Sequence, residues 1–219
     1  MGQGGKRTQF LKEAAMSVPA RQTAVVFGRH QSRELRLGAA RERRTGLQVM
    51  TIEQLACRLA RGFAQPMEDE ALRRALQEAL PVKELGELNG IKLLPGMVDA
   101  CVDTLRKVWT SRTDLATGTH PRLASLAKLE HAVLDRLPVA MKRPGELVDA
   151  ALTHVKHAPA VLGTVELRGM TELEPCWRPL LQALATVTEV RSLAGPGRYR
   201  VGLLPQLSLS RHQKRRPRP

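Results

Sequence analysis

The sequence predicts an α/β protein in which a small parallel sheet is interrupted by a block of helices. The short Val-rich run 23–27 is followed by a charged stretch of helical period and then by a second apolar run at 47–50. This order is typical of a strand, a helix and a second strand, which need a parallel sheet and further strands from elsewhere in the chain. The next strand-like runs, 161–167 and 187–193, come only after a long stretch of helical periodicity. The remaining strands of the sheet are therefore expected near the end of the chain.

The opening unit is residues 22–63. Its first strand ends at Gly28, and the helical period begins at Gln31. Thr51 and Gln54 have the spacing of a capping box, which predicts the start of a second helix. The apolar residues expected on one face of that helix are Leu55, Leu59 and Phe63.

The periodicity of residues 64–157 predicts a helical insertion of about four helices, with no strand signal. Apolar residues recur there at three- and four-residue spacing. The expected helical segments are 67–80, 97–113, 121–137 and 144–155. Trp109 continues the apolar face of the second segment, which favours a core residue over a ligand platform. Residues 158–192 then complete the α/β layer with a strand, a helix starting near Pro175 and a last strand.

Both ends of the chain differ in character from the predicted layer. Residues 1–21 are interpreted as a loose leader, and residues 193–219 as a disordered basic tail without apolar period. Residues 191–219 hold eight Lys or Arg and no acid, so the rest of the chain carries +6 of the net charge of +14. A basic balance favours polyanions such as DNA. Aromatic residues make up only 3%, which argues against the rows of stacking side chains in OB-folds and RRM domains.

The cysteines and the hydropathy pattern indicate a cytoplasmic protein. Cys57, Cys101 and Cys176 are far apart and form no CxxC pair, so neither a disulfide framework nor a zinc site is predicted. No apolar run is long enough for a signal peptide or a membrane span. His154 and His157 lie three residues apart, but no third ligand has suitable spacing for a metal. The sequence predicts no metal, no cofactor and no catalytic residue.

The loop after the first strand is the strongest candidate site. Its position suits a nucleotide loop, but the segment from Gly28 to Arg33 lacks the second glycine, the lysine and the adjacent hydroxyl of that motif. We therefore expect no ATP hydrolysis and no magnesium-dependent nucleotide binding. Basic side chains at a helix start can still contact an anion. The candidate anion or DNA contacts are Arg29, His30, Ser32, Arg33 and Arg36. The alternative is a surface turn with Ser32 as the helix cap, followed by a solvated basic helix.

Three stretches carry a resemblance to a known family. They are residues 25–60, residues 94–115, and residues 157–185 with the run Gly-Met-Thr-Glu-Leu-Glu-Pro at 169–175. Their order resembles the N-terminal, helicase-like region of the PD-(D/E)XK nuclease family related to the B subunit of AddAB-type helicase-exonucleases. The resemblance covers roughly residues 22–192. It implies a P-loop-helicase-like fold with a degraded nucleotide loop. Arg168 stands where an active helicase-like strand would offer an acid.

The resemblance implies a truncated, non-catalytic helicase-like module from a DNA-repair or recombination helicase-exonuclease. Its expected role is scaffolding and contact with a DNA strand, and its expected partners are DNA and a helicase-nuclease partner subunit. In this family the nuclease carboxylates follow in a later domain, and the abrupt basic tail resembles a premature end or a change of reading frame. The alternative is a free-standing interaction protein whose helices bind a protein partner and whose basic tail binds nucleic acid non-specifically.

Overall fold

The computed structural model describes residues 21–61, 63–170 and 172–193. Within these ranges the strands are β1 (Gln22–Val26), β2 (Leu47–Met50), β3 (Gln65–Pro66), β4 (Met141–Lys142), β5 (Thr164–Arg168) and β6 (Val190–Leu193). The helices are α1 (Arg29–Arg41), α2 (Ile52–Ala60), α3 (Asp69–Val82), α4 (Met97–Ser111), α5 (Pro121–Leu134), α6 (Pro144–Leu152), α7 (Ala158–Val161) and α8 (Arg178–Val187). Single 3₁₀ turns occur at Gly86–Leu88, Leu115–Thr117, Val155–His157 and Pro175–Trp177.

The central sheet has four parallel strands in the order β2-β1-β5-β6, so the predicted α/β class with a small parallel sheet is confirmed. The β1–β2 crossover through α1 runs towards one edge, and the β5–β6 crossover through α8 runs towards the other. Because both crossovers are expected to be right-handed, they place their helices on opposite faces of the sheet. Helix α8 packs with the larger core, and α1 lies over the other face.

Three clusters of buried side chains hold the layers together. The largest lies between the sheet and helices α2, α6 and α8, and includes Val25, Val165 and Trp177. A small cluster under α1 consists of Ala24, Val26 and Val49, with Leu35 and Leu47 packed against it. The third cluster joins α3, α4 and α5 and contains Trp109, which is 5% exposed. Trp109 is therefore a core residue, as its spacing predicts.

Most of the elements expected from periodicity are present, with shifted ends. The second strand and the Thr51–Gln54 capping box are confirmed, and four helices lie between residues 67 and 157. The fifth strand starts at Thr164 rather than 161, because residues 158–161 form α7. Helix α1 begins at Arg29 rather than at Gln31. Terminal positions are set by tertiary contacts that periodicity does not contain.

Two expectations are wrong. Phe63 does not share a face of α2, because the helix ends at Ala60, where Arg61 takes a positive φ of 63°. Phe63 is 93% exposed. The helical insertion, residues 64–157, also contains two short strands, since β3 and β4 pair in parallel to form a separate two-stranded sheet. Two residues are too few to show a period of two, so only the tertiary pairing reveals these strands.

None of the helices in the described ranges has both the length and the apolar content needed to cross a membrane. The leader and the basic tail predicted from sequence lie outside the described residues, apart from Arg21 and Leu193.

Candidate anion-binding site

Helix α1 begins directly after β1 without the features that normally complete a helix start. Its N-cap is Gly28, which has an extended backbone (φ −157°) and offers no side-chain hydrogen bond. The first intrahelical bond runs from the Ser32 N–H to the Gly28 carbonyl at 3.1 Å, so the preceding amides have no helical acceptor. The first turn contains no acid. The start of α1 therefore carries partial positive charge that favours an anion.

A cavity of about 420 Å³ opens beside this helix start, at the carboxyl ends of β1 and β2. Arg29, Arg33 and Arg36 line it, and their i, i+4, i+7 spacing places all three on one stripe of α1. Its apolar wall consists of Val26, Leu37 and Met50, and its polar residues include Ser32, Thr51 and Gln54. We call this site the arginine cavity.

The free polar groups of the arginine cavity are mainly donors. Gln54 Oε1 accepts from the Thr51 N–H (3.0 Å), and Thr51 Oγ1 accepts from the Gln54 N–H (3.3 Å). The capping box thus uses these acceptors and leaves the Gln54 amide nitrogen and the guanidinium groups as donors. Among the described residues no Asp or Glu lines the cavity. Donors and positive charge together suit an anionic ligand such as a phosphate.

Four of the five candidate residues come together in the arginine cavity. His30 does not line it, and its Nε2 lies 3.2 Å from Glu34 Oε1 on the exposed side of the helix. Ser32 is not the helix cap, because α1 starts three residues earlier at Arg29. Thr51 and Gln54 also line the cavity, although the sequence indicated them only as a capping box. Their position directly after β2 is the signal that could have found them, since parallel strands end at the same sheet edge.

The arginines of the basic helix divide into two groups. The arginine cavity takes Arg29, Arg33 and Arg36, and of these Arg36 also donates from Nη2 to the Val49 carbonyl at 3.0 Å. Arg44 lies at the opposite end of the sheet, where it donates to Gln22 Oε1 at 2.9 Å. Within α1, only residues 29–37 contribute to this site.

Parallel α/β sheets commonly bind ligands in the crevice at their topological switch point, and in this sheet that crevice lies one strand away from the arginine cavity. The connections after β1 and β5 run to opposite sides, which makes the gap between their carboxyl ends the topological switch point. Gly169 follows β5 there with φ 65°, and a Cβ at this position would lie 2.8 Å from the Gln31 side-chain amide nitrogen. The Gln31 side chain thus lies against Gly169. The open volume is found between β1 and β2 instead.

The carboxylates near the last strand pair are engaged in structural contacts. Glu166 is 6% exposed and accepts hydrogen bonds from Arg168 Nη2 (2.6 Å) and from the Gln22 side chain. Glu174 accepts from the Trp177 indole N–H at 3.0 Å. Arg168, at the position where the resemblance expects an acid, is thereby used as the partner of Glu166. These contacts account for Glu166, Arg168 and Glu174 as structural residues, and no catalytic role is needed to explain them.

A second cavity, of about 370 Å³, lies where α4, α5 and α6 meet. Glu130 accepts there from the Trp109 indole N–H and from Arg143 (3.1 Å), and Arg143 also donates to Glu146 at 2.8 Å. Burial opposes the charged form of Glu146, but the hydrogen bonds and charge of Arg143 outweigh it and hold the pKa of Glu146 below its usual value. Arg143 is thus paired with Glu130 and Glu146, and Arg112 with Asp149, as expected for a structural network.

The cysteine thiols are not activated. Burial, assisted by the charge of Glu53, raises the pKa of Cys57 to about 11. Burial, assisted by Glu174, raises the pKa of Cys176 to about 12. Both thiols are protonated at neutral pH and are therefore poor nucleophiles.

Comparison with known proteins adds no family to this description. No protein-family model matches the chain, and no curated protein is significantly similar to it.

Proposed function

We propose that this chain is a non-catalytic, helicase-like α/β module that contacts the phosphate backbone of DNA through the arginine cavity. The observation that carries the proposal is the stripe of Arg29, Arg33 and Arg36, which meets the uncapped start of α1 in a cavity lined by donors and no acid among the described residues. Guanidinium groups bind phosphate oxygens through paired donors, and a helix start adds backbone N–H groups.

The length of the stripe favours a polymer over a small anion. Arg29 and Arg36 are seven residues apart, which corresponds to about 10 Å along a helix. Neighbouring phosphates in one DNA strand are separated by about 3.4 Å along the duplex axis, so the stripe can meet more than one phosphate. The exposure of Arg29 and Arg33 allows a strand to pass across them. The role proposed here is attachment to a strand, with a partner subunit supplying any chemistry.

The absence after β1 of the motif's lysine and of a hydroxyl directly beside it supports a binding role without ATP hydrolysis. A working phosphate loop places these groups on the β- and γ-phosphates and on magnesium. The segment here reads Gly28-Arg29-His30-Gln31-Ser32-Arg33. Gly28 has an ordinary extended backbone that any residue can adopt, so it does not provide the left-handed turn of a phosphate-cradling loop.

We expect the double variant Arg29→Gln/Arg33→Gln to weaken DNA binding and to reduce its salt dependence. Each lost phosphate contact should lower the slope of log K against log[salt] by about 0.9 for duplex and about 0.7 for single strands. The combined change is about 1.8 or about 1.4. Fluorescence anisotropy of the full chain with labelled oligonucleotides at several salt concentrations measures it. Arg36 is left unchanged because it also donates to the Val49 carbonyl.

The matched control is Arg41→Gln/Arg58→Gln, which removes the same charge from two exposed arginines outside the arginine cavity. The proposal expects this control to keep a slope close to that of the unaltered chain. An equal fall in slope for both double variants would mean that only net charge matters, and the assigned contact would then be wrong.

An interaction protein is the second candidate, and one apolar patch favours it. Val82, Leu93 and Leu94 are 67%, 71% and 57% exposed, and Ile91 is 44% exposed. Lys92 Nζ donates to the Pro81 and Lys83 carbonyls at 3.3 and 2.9 Å, which holds the 91–94 turn against the end of α3. Four large apolar side chains thus share one small region. Exposed apolar patches commonly mark protein interfaces.

The second candidate predicts that Leu93→Ser/Leu94→Ser lowers affinity for a protein partner about tenfold or more, as for central interface residues. With a photo-crosslinker placed at Ile91, the otherwise unaltered chain and a Val139→Ser control should capture the same partner. Val139 is 87% exposed and lies outside the patch. Capture that is equal with and without the Leu93 and Leu94 changes would count against this candidate. If this second candidate is right, deletion of residues 195–219 should abolish DNA retention. If the first proposal is right, the deletion variant should still bind DNA through the arginine cavity.

A further inference from the structure

An exposed phenylalanine lies in the chain between two residues that line the arginine cavity. Phe27 is 67% exposed, although the residues on either side of it, Val26 and Gly28, both line the cavity. It is the first residue after β1, where the chain leaves the sheet and turns into α1. The ring is thus exposed to solvent on the connection that leads into the arginine stripe.

Packing does not account for this side chain. The cluster under α1 contains Ala24, Val26 and Val49, together with the partly buried Leu35 and Leu47, but not Phe27. The other two clusters do not include it either. Leu37, which is 47% exposed, adds further apolar surface beside the same arginines. An exposed aromatic ring and the arginine stripe are therefore joined by the short connection between β1 and α1.

We propose that the ligand of the arginine cavity is single-stranded nucleic acid, with one base stacked on the Phe27 ring and the adjoining phosphates bound by Arg29 and Arg33. This inference rests on the proposed function and specifies its ligand. Phe27 and Arg29 are two residues apart, so their Cα atoms lie within about 7.6 Å. One nucleotide, whose base and phosphate are at opposite ends, can reach both groups.

The combination selects single strands over duplex. Proteins that bind single strands combine a positive groove with aromatic side chains, because every unpaired base offers a π-face. Bases in a duplex are already stacked on each other and do not offer that face. The low aromatic content limits the site to one stacked base rather than a row of them. The expected preference is therefore for an unpaired base, with little dependence on which base it is.

The test compares Phe27→Leu in the full chain with the unaltered protein on three labelled probes. The probes are an oligothymidine, an abasic oligomer of the same length and a duplex, measured by anisotropy at about 200 mM salt so that non-specific charge attraction is weak. Phe27→Leu should weaken binding of oligothymidine by about 5- to 150-fold, the range for losing one stacked base. Binding of the abasic oligomer should not change. Phe27→Tyr, which keeps the ring, should restore oligothymidine binding.

Phe63→Leu is the matched control. Phe63 is also exposed, but it lies beyond the C-terminal end of α2, whereas the cavity residue Thr51 caps the N-terminal end of that helix. It should leave all three affinities unchanged. Equal weakening by Phe27→Leu on thymidine and abasic probes, or no weakening at all, would overturn the stacking role. If Arg29→Gln/Arg33→Gln still lowers the salt slope in that case, the phosphate contact survives without the base contact. Absence of binding to every probe would overturn both proposals.

Discussion

Replacement of Gly163 by alanine is expected to destabilise the sheet by about 4 kcal/mol or more, at the upper end of single-residue effects. Gly163 has a φ of 66°, and a Cβ built there would lie 1.8 Å from the Arg21 carbonyl oxygen and 2.5 Å from its carbonyl carbon. These are backbone atoms and cannot turn aside as a side chain would. The Thr164 N–H also donates to the Arg21 carbonyl at 3.2 Å. The added methyl group would therefore push apart the starts of β1 and β5, the two central strands.

Urea denaturation followed by far-UV circular dichroism measures the Gly163→Ala effect. Since small proteins are stable by about 5–15 kcal/mol, the expected result is a large fall in the midpoint or the loss of a cooperative transition. Gly38→Ala is the matched control, because a Cβ at Gly38 meets nothing within 4 Å and the residue lies inside α1. That change should stabilise the helix by up to about 1 kcal/mol. A Gly163→Ala variant within about 1 kcal/mol of the unaltered chain would mean that β1 and β5 do not approach as described.

Replacement of Trp177 by alanine is the second change expected to have a large effect, with a loss of about 3–5 kcal/mol. Trp177 is 2% exposed and belongs to the cluster between the sheet and helices α2, α6 and α8. Its 3₁₀ turn, Pro175–Trp177, also contacts α4 and α6. Removing the indole would leave a cavity at the point where the sheet layer meets the helical block.

Trp177→Phe separates packing from hydrogen bonding at this position. The smaller ring keeps most of the buried apolar surface but loses the indole N–H that donates to Glu174 Oε2 at 3.0 Å, so a loss of about 1–2 kcal/mol is expected. Phe63→Ala should change the free energy of unfolding by less than about 0.5 kcal/mol because Phe63 is 93% exposed. Thermal and urea unfolding of the three variants gives this ranking. A Trp177→Ala effect no larger than that of Phe63→Ala would show that the turn is not buried as described.

The sequence predicts Arg29, Arg33 and Arg36 as candidate contacts, but neither their common stripe nor the cavity beside it. The three share a helix face because α1 starts at Arg29, two residues before the start predicted at Gln31. The cavity also needs Thr51 and Gln54, which approach α1 only because β1 and β2 pair in parallel in one register. The alternative of Ser32 as the helix cap is wrong for a related reason, since the first helical residue depends on where the strand ends.

The exposure of Phe27 also belongs to the tertiary structure. From sequence, Phe27 extends a Val-rich run and is expected to be a strand residue. The strand ends one residue earlier, at Val26, and the ring is left outside the cluster under α1. Whether an apolar residue at a strand end is covered depends on which elements pack over it, and local pattern contains no information on that.

By itself the sequence determined the α/β class, the parallel sheet, the capping box at Thr51 and the basic start of α1, because short apolar runs, helical spacing and cap residues act within a few neighbouring positions. Only the tertiary structure decided the strand order, the pairing of β3 with β4, the use of Arg168 as the partner of Glu166, and the position of the cavity between β1 and β2. These features join residues far apart in the chain, and their formation depends on packing of whole layers rather than on local preference.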